Sequence, residues 1–249
     1  AFHHHFDYID KYYTPFIPAA KRMNAKIKRD IDPVNNDGIT LIPQAMSIVA
    51  DEVIDLHRQL VPYGYDEINV NLGCPSGTVV SKKRGSGILA YPDMLDSFLD
   101  ELYTKADFPV SIKTRVGFND DELWPKLIEI YSKYPISELT VHPRVQKDFY
   151  KNTPRMDDFA LAMQKINPDK TILCYNGDIT DTNSFNALTD RFPDIDEIMI
   201  GRGLFANPAL IAELKGISMD KAELRERLKN WHDEILSGYL SIFSGEKDA

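Results

Sequence analysis

Apolar and polar positions alternate over residues 67–71, Glu67-Ile-Asn69-Val-Asn71, and this period of two predicts a strand over 66–71. Gly73 and Pro75 break it, so Cys74 falls on the turn at the strand's C-terminal end. Similar short runs predict strands near 13–17, 40–44, 108–113, 138–142, 171–175 and 197–200. Between them the period lengthens to that of helices. One spans about 48–61, with Val49, Val53, Ile54, Leu56 and Leu60 inward. A second spans 92–105, with Pro92 in its first turn and Met94, Leu95, Phe98, Leu99 and Leu102 inward. Others are expected from an Asp120 or Asp121 cap to about 133, over 156–166, and over 183–191. Residues 2–11 read as the end of a helix. Residues 20–37, basic at first (Lys21, Arg22, Lys26) and then turn-rich, read as a long loop with one helical turn. Over 218–243 apolar residues recur at heptad-like spacing (Leu224, Leu228, Trp231, Ile235, Leu236, Tyr239), predicting a long helix or helix pair outside the repeat.

Strand, polar or glycine turn, helix, at about 30-residue spacing, is the rhythm of parallel βα units. The expected class is α/β: a parallel (β/α)8 TIM barrel followed by a C-terminal helical segment. Seven strands are legible, so the barrel's first strand is expected to precede Phe2 and to be missing from this chain. The division expected is a catalytic barrel over 1–215 and a helical domain beginning at 216–249. The alternative is an open doubly wound sheet. Against it, no Gly-x-Gly-x-x-Gly turn follows any strand, and polar residues end nearly every strand rather than one switch point.

The 249 residues suffice for one large core. No run of 18 apolar residues predicts a membrane span, and no signal peptide is visible. Two cysteines, Cys74 and Cys174, make no disulfide scaffold, which points to a reducing, cytoplasmic setting. His3, His4 and His5 are open to three readings: a tag remnant, a metal site or a native helix. Nothing nearby completes a metal site, so no metal is expected. A monomer is expected. The net charge of −9 means that any nucleic-acid contact must be a local basic patch.

The strand ends carry, in order, Gln44, Asn71 with Cys74, Lys113 with Arg115, His142 with Arg144, Asn176-Gly177-Asp178, and Gly201-Arg202. Each alone has an ordinary explanation: a buried thiol, a snorkelling cation, a structural histidine, a common turn. That explanation must be invoked six times at equivalent positions, which favours one shared mouth. The last two groups follow the final strands, where this architecture binds phosphate. Glycines let backbone N–H groups approach, and Arg202 adds a bidentate contact. FMN fits: its phosphate would lie there and its ring near Gln44, Lys113 and His142, with Lys113 stabilising negative charge on the reduced ring.

As a set, the motifs Asn69-Val-Asn71-Leu-Gly73-Cys74-Pro75, Ser81-Lys82-Lys83-Arg84-Gly85-Ser86-Gly87, Ile112-Lys113-Thr114-Arg115, Val141-His142-Pro143-Arg144, Asn176-Gly177-Asp178-Ile179 and Met199-Ile200-Gly201-Arg202-Gly203 resemble the tRNA-dihydrouridine synthases. The resemblance runs in order from about Tyr12 to Leu214. It implies an FMN barrel that reduces the 5,6 double bond of particular tRNA uridines with NADPH. Cys74 would be the general acid, protonating uracil C5 while hydride reaches C6. Gln44, Lys113 and His142 would meet the flavin ring. Asn176, Gly177, Asp178, Gly201 and Arg202 would meet the ribityl phosphate. Asn71 and Arg115 would hold the uracil, with Arg144 and Tyr150 on a substrate-facing loop. The target base must be unstacked. Lys82, Lys83 and Arg84 are the expected RNA-backbone contacts, although a solvated charged turn explains them equally. The Pro-Met-x-Gly motif of the family's first strand is absent from this chain. Two other classes stay open: an FMN barrel reducing a free pyrimidine or other small molecule, like a dihydroorotate dehydrogenase, and a non-catalytic barrel that binds RNA or a phosphate ligand.

Overall fold

Two prolines cut the first two predicted strands in half. The strand expected at 13–17 is present as β1 (Tyr12–Tyr13) and β2 (Ile17–Pro18), and that at 40–44 as β3 (Leu41–Ile42) and β4 (Gln44–Met46). Neither Pro15 nor Pro43 has an N–H for the ladder. Tyr13 pairs with Ile42 and Ile17 with Ala45, so three residues face two across the break. The Gln44 N–H turns instead to Thr14 Oγ1 at 3.0 Å. These coordinates, a computed structural model, describe residues 1–19 and 22–241. Lys21 and the far end of the predicted 218–243 helix lie outside the described residues.

The remaining strands are β5 (Ile68–Leu72), β6 (Val110–Gly117), β7 (Glu138–Val145), β8 (Ile172–Asn176) and β9 (Glu197–Met199). The seven-stranded sheet runs β2-β4-β5-β6-β7-β8-β9, parallel at every pairing. Spatial order follows chain order without reversal. A doubly wound sheet must reverse at its switch point, so that alternative fails. The class is α/β of the TIM-barrel kind.

Alternation gives the sheet two unlike faces. One carries Val70, Leu72, Ile112, Leu139 and Val141, each fully buried. Against it the helices Ala50–Leu60 and Pro92–Lys105 bring Val53, Leu56 and Leu60, and Leu95, Leu99 and Leu102, also fully buried. Each such side chain contributes roughly 1.5–3 kcal/mol by leaving water. The other face is polar. Register aligns Gln44 with Asn69, Asn69 with Ser111, Asn71 with Lys113, Lys113 with Thr140, and Arg115 with His142.

Several expectations need correcting. β6 and β7 continue past Lys113 and His142 to Gly117 and Val145. Polar side chains there predict strand ends, but Arg115 and His142 pair within the ladder, with a register shift before Gly117. No aspartate caps the third helix: it runs Trp124–Tyr131 from Leu123, Asp120 accepts from the Glu122 N–H, and Asp121 pairs with Arg155 at 3.1 Å. The 20–37 loop holds a seven-residue helix, Ala25–Ile31, capped by the Asn24 side chain on Ile27 N. Residues 2–11 hold only the helix Phe2–His5. Val49 and Met94, expected inward, are exposed at 44% and 38%.

The chain divides into two compact units. The sheet unit comprises 11–177 and 192–199, and the other comprises 1–10, 178–191 and 200–249. In the latter, Asp220 caps one helix, Lys221–Leu240. Trp231 takes Phe2 and Phe6 edge-on at 5.3 and 6.0 Å. Glu234 binds His4 Nδ1 at 2.8 Å and His5 Nε2 at 2.7 Å. The three histidines stand in the helix Phe2–His5, and two of them bind Glu234. No helix among the described residues is long and apolar enough to cross a membrane.

Candidate active site

At the C-terminal end of the sheet's polar face, side-chain amides form a chain. Asn69 Nδ2 donates to Ser111 Oγ at 3.0 Å, Gln44 Nε2 to Asn69 Oδ1 at 2.8 Å, and Asn71 Nδ2 to Gln44 Oε1 at 2.7 Å. Each donor meets an acceptor, so these groups can be buried without penalty. Asn69, at 0% exposure, anchors the chain although sequence reasoning did not select it. Its signal was phase: it lies two residues before Asn71 on the same strand face.

Asn71 Oδ1 accepts the N–H groups of Gly73 (3.1 Å) and Cys74 (2.9 Å), closing the turn that ends β5. The three carbonyls of that turn are held as well. Arg115 Nε donates to Gly73 O at 3.0 Å, Ser86 N and Oγ to Cys74 O at 3.0 and 2.8 Å, and Gln146 Nε2 to Pro75 O at 2.9 Å. Gly85 lets Ser86 come so close: its φ is +55°, and a Cβ there would stand 2.7 Å from Cys74 O. The half-buried Cys74 thiol thus rides on a fixed backbone. Cys174, by contrast, is 2% exposed, and burial with Glu138 and Glu197 nearby pushes its thiol pKa up.

Lys113 Nζ donates to Asn176 Oδ1 at 2.7 Å, and Asn176 Nδ2 donates to Met199 O at 2.8 Å. Among the described residues no carboxylate pairs with Lys113. Burial, with Arg115 adding repulsion, lowers its pKa to about 8. It is a cation on a polar floor without a counter-charge.

His142 is 5% exposed, and its Nε2 lies 3.2 Å from Arg144 Nη1. A guanidinium only donates, so Nε2 accepts. Arg144 is 1% exposed and also holds Lys151 O at 2.9 Å and Asn152 O at 2.5 Å. Arg115 is 2% exposed, and besides Gly73 O it holds Val145 O at 2.9 Å and Phe149 O at 2.6 Å. Burial lowers Arg115 to a pKa of about 10, so it stays cationic at neutral pH. Both arginines thus bind the strap 145–152. Its Phe149 and Asn152 adopt φ of +53° and +61°. Such non-glycine conformations cost about 1–3 kcal/mol each and persist where surroundings over-determine them. Asp148 supplies more restraint, accepting from Val145 N, Asn152 Nδ2 and Arg155. Burial alone would raise its pKa, but these bonds outweigh it and hold it low. Tyr150, 55% exposed, lies 6.4 Å from the His142 ring and 5.7 Å from the Arg115 guanidinium.

The basic turn is divided in role. Lys82 is exposed. Lys83, at φ +58°, sits 4.4 Å over the Tyr91 ring. Arg84 is half-buried and paired with Glu52 at 3.1 Å. Gly177 follows β8 in the sheet unit. Asp178, Gly201 and Arg202 belong to the other unit, where Arg202 Nη2 binds Asp178 Oδ1 at 2.6 Å. Sequence reasoning also missed Ser86, Gln146 and Asp148. Ser86 lies inside the 81–87 motif, but nothing in one dimension shows which carbonyl it meets.

A sequence model of the family described as "Dihydrouridine synthase (Dus)" matches residues 3–237. A "Probable tRNA-dihydrouridine synthase" from Staphylococcus aureus is 32% identical over 195 residues, 76% of this chain and 56% of that protein. The "tRNA-dihydrouridine synthase B" of Pasteurella multocida is 29% identical over 168 residues, 67% of this chain and 49% of that protein. The chain spans about half the length of the curated relatives it matches. A solved structure, N-acetylneuraminate lyase from Mycoplasma synoviae, overlaps 87% of this chain and 64% of that one at 14% identity with a TM-score of 0.35, too distant to bear on fold or function. The family match spans nearly the whole chain and takes in the cysteine turn, the Lys113–Arg115 strand and the Asn176 and Arg202 loops: the chain belongs to the dihydrouridine synthase family.

Proposed function

We propose that this chain carries the catalytic barrel of an FMN-dependent enzyme that reduces uridines in tRNA to 5,6-dihydrouridine, with NADPH as reductant. The observation that carries the reading is Lys113: a half-buried cation whose partner among the described residues is a neutral amide, in a row of amides at the strands' C-terminal ends. An uncompensated cation there suits an electron-rich ring that gains negative charge when reduced. Bound FMN would supply the electron pair added to the uracil 5,6 double bond.

The chain's own residues divide the remaining work. Lys113, Gln44 and His142 form the flavin-ring side, and Asn176 orients Lys113. Gly177, Asp178, Gly201 and Arg202 are the phosphate-side residues the resemblance implies, with Asp178 fixing the Arg202 fork. Cys74 is the proton donor to uracil C5, on a turn whose N–H and C=O groups are already satisfied, so the thiol needs no backbone rearrangement to act. On the substrate side, Asn71, Arg115 and Arg144 are engaged with backbone groups and hold the pieces that meet the base. Tyr150 is exposed for stacking on it. Lys82 and Lys83 face solvent and can reach RNA phosphates; Arg84 is tied to Glu52, which weakens its claim.

The test is the absorbance of the purified protein. A flavin band that bleaches with NADPH supports the reading. Cys74→Ala should keep the band and lose more than about 100-fold in dihydrouridine formation, the scale of a general-acid contribution. A colourless protein that gains no band with added FMN would refute it. Salt-sensitive tRNA binding, beside slow turnover of free uridine, separates it from a small-molecule reductase.

A further inference from the structure

Arg115 joins two pieces of backbone that are far apart in sequence. Its three nitrogens diverge, Nε to Gly73 O, Nη1 to Val145 O and Nη2 to Phe149 O. The first lies beside Cys74; the last belongs to a residue at positive φ. Gln146 of the strap reaches Pro75 O on the other flank of Cys74. The carbonyls on both sides of the thiol are thus held from the strap or by the side chain that grips it. A neutral or monodentate group cannot reproduce three divergent charge-assisted bonds. We propose that Arg115 is a positioning residue that couples the strap 145–152 to the Cys74 turn, so that the strap's position sets the placement of the thiol. The part this plays in proton donation rests on the function proposed above; the coupling itself does not.

Arg144 supplies the lever for a test. It grips the strap at Lys151 O and Asn152 O. Loosening it should reach Cys74 by way of the strap, which Arg115 and Gln146 join to that turn. The experiment compares Arg115→Lys, Arg144→Lys and the double variant. It reads the rate of Cys74 alkylation by iodoacetamide, with buried Cys174 as internal standard, together with chymotryptic cleavage at Phe149 and Tyr150. Arg115→Lys is expected to change the Cys74 rate by about 5-fold or more and to raise strap cleavage, with Cys174 still protected. Arg144→Lys should raise cleavage and shift the Cys74 rate about 2- to 5-fold, and this shift should largely vanish in the Arg115→Lys background.

A wild-type Cys74 rate in Arg115→Lys overturns the proposal, as do effects of the two variants that simply multiply. If Arg115→Lys exposes Cys174, and so has unfolded, Gln146→Ala decides: a Cys74 rate changed about 3-fold or more with Cys174 protected supports the coupling, and an unchanged rate overturns it. None of these readouts needs flavin or tRNA. A protein that shows the coupling but never binds FMN would refute the function and leave the coupling standing.

Discussion

Two lysines occupy the same polar face of the sheet unit and live under opposite rules. Lys11 lies toward the strands' N-terminal ends. Its Nζ is 2.7 Å from Glu138 Oε2 and 3.4 Å from Glu197, while Tyr13 OH and Thr140 Oγ1 complete the Glu138 carboxylate at 2.8 and 2.7 Å. Burial works against its charge, but Glu138 outweighs burial and the pKa is raised. Lys113 has an amide where Lys11 has two carboxylates, and its pKa falls. The first network is closed: Glu138, Cys174 and Glu197 converge within 4.8 Å as metal ligands might, yet Lys11 already supplies the positive charge. The second is open. A satisfied buried charge holds the structure together, whereas an unsatisfied one is a standing cost that a ligand can relieve.

The sharpest way to break this contrast is at Glu138. Glu138→Gln should destabilise the protein by about 2–4 kcal/mol in urea unfolding, somewhat below a fully buried pair because Lys11 is a quarter exposed. Next, Lys113→Met should do the reverse, raising stability at pH 7 by on the order of 1–3 kcal/mol while weakening FMN binding at least about 10-fold. The pH dependence sharpens it further. Between about pH 8, where folded Lys113 titrates, and its ordinary 10.5, the unfolded chain holds the proton more tightly. Stability tied to Lys113 therefore rises with pH across that window, and Lys113→Met should abolish the rise. If Lys113→Met instead destabilises the protein, the cation is structural like Lys11 and the contrast fails.

The smallest effect concerns Asp158, outside both networks. Burial, then the neighbouring Asp121 carboxylate, raises its pKa to about 7. A raised acid costs stability as pH climbs from its ordinary value through the raised one. Asp158→Asn should flatten the decline between about pH 4 and 7 and add roughly 1 kcal/mol above it, read from unfolding midpoints across pH.

Much of the fold was legible because its signals are local. The helix Pro92–Lys105 begins at its proline and keeps Leu95, Phe98, Leu99 and Leu102 on one face, as the spacing requires. The single helical turn expected within 20–37 is a seven-residue helix, Ala25–Ile31, with Asn24 in cap position; its apolar residues are too few to show a period. β6 and β7 run further than their sequence pattern predicts, to Gly117 and Val145. Polar residues ordinarily signal a strand's end, but here the polar side is the functional face, and Arg115 and His142 belong to the ladder.

Residue type and order alone determined the α/β repeat, the cysteine turn and the set of polar residues at the strand ends, because periodicity, glycine and proline act over a few bonds. Only the tertiary structure decided what those residues meet. It turned Arg115 and Arg144 toward loop carbonyls, tied Arg84 to Glu52, and gave Lys113 an amide where Lys11 received two carboxylates. Hydrogen bonds and charge pairing depend on distances of about 3 Å between groups tens of residues apart, and a one-dimensional pattern does not contain those distances.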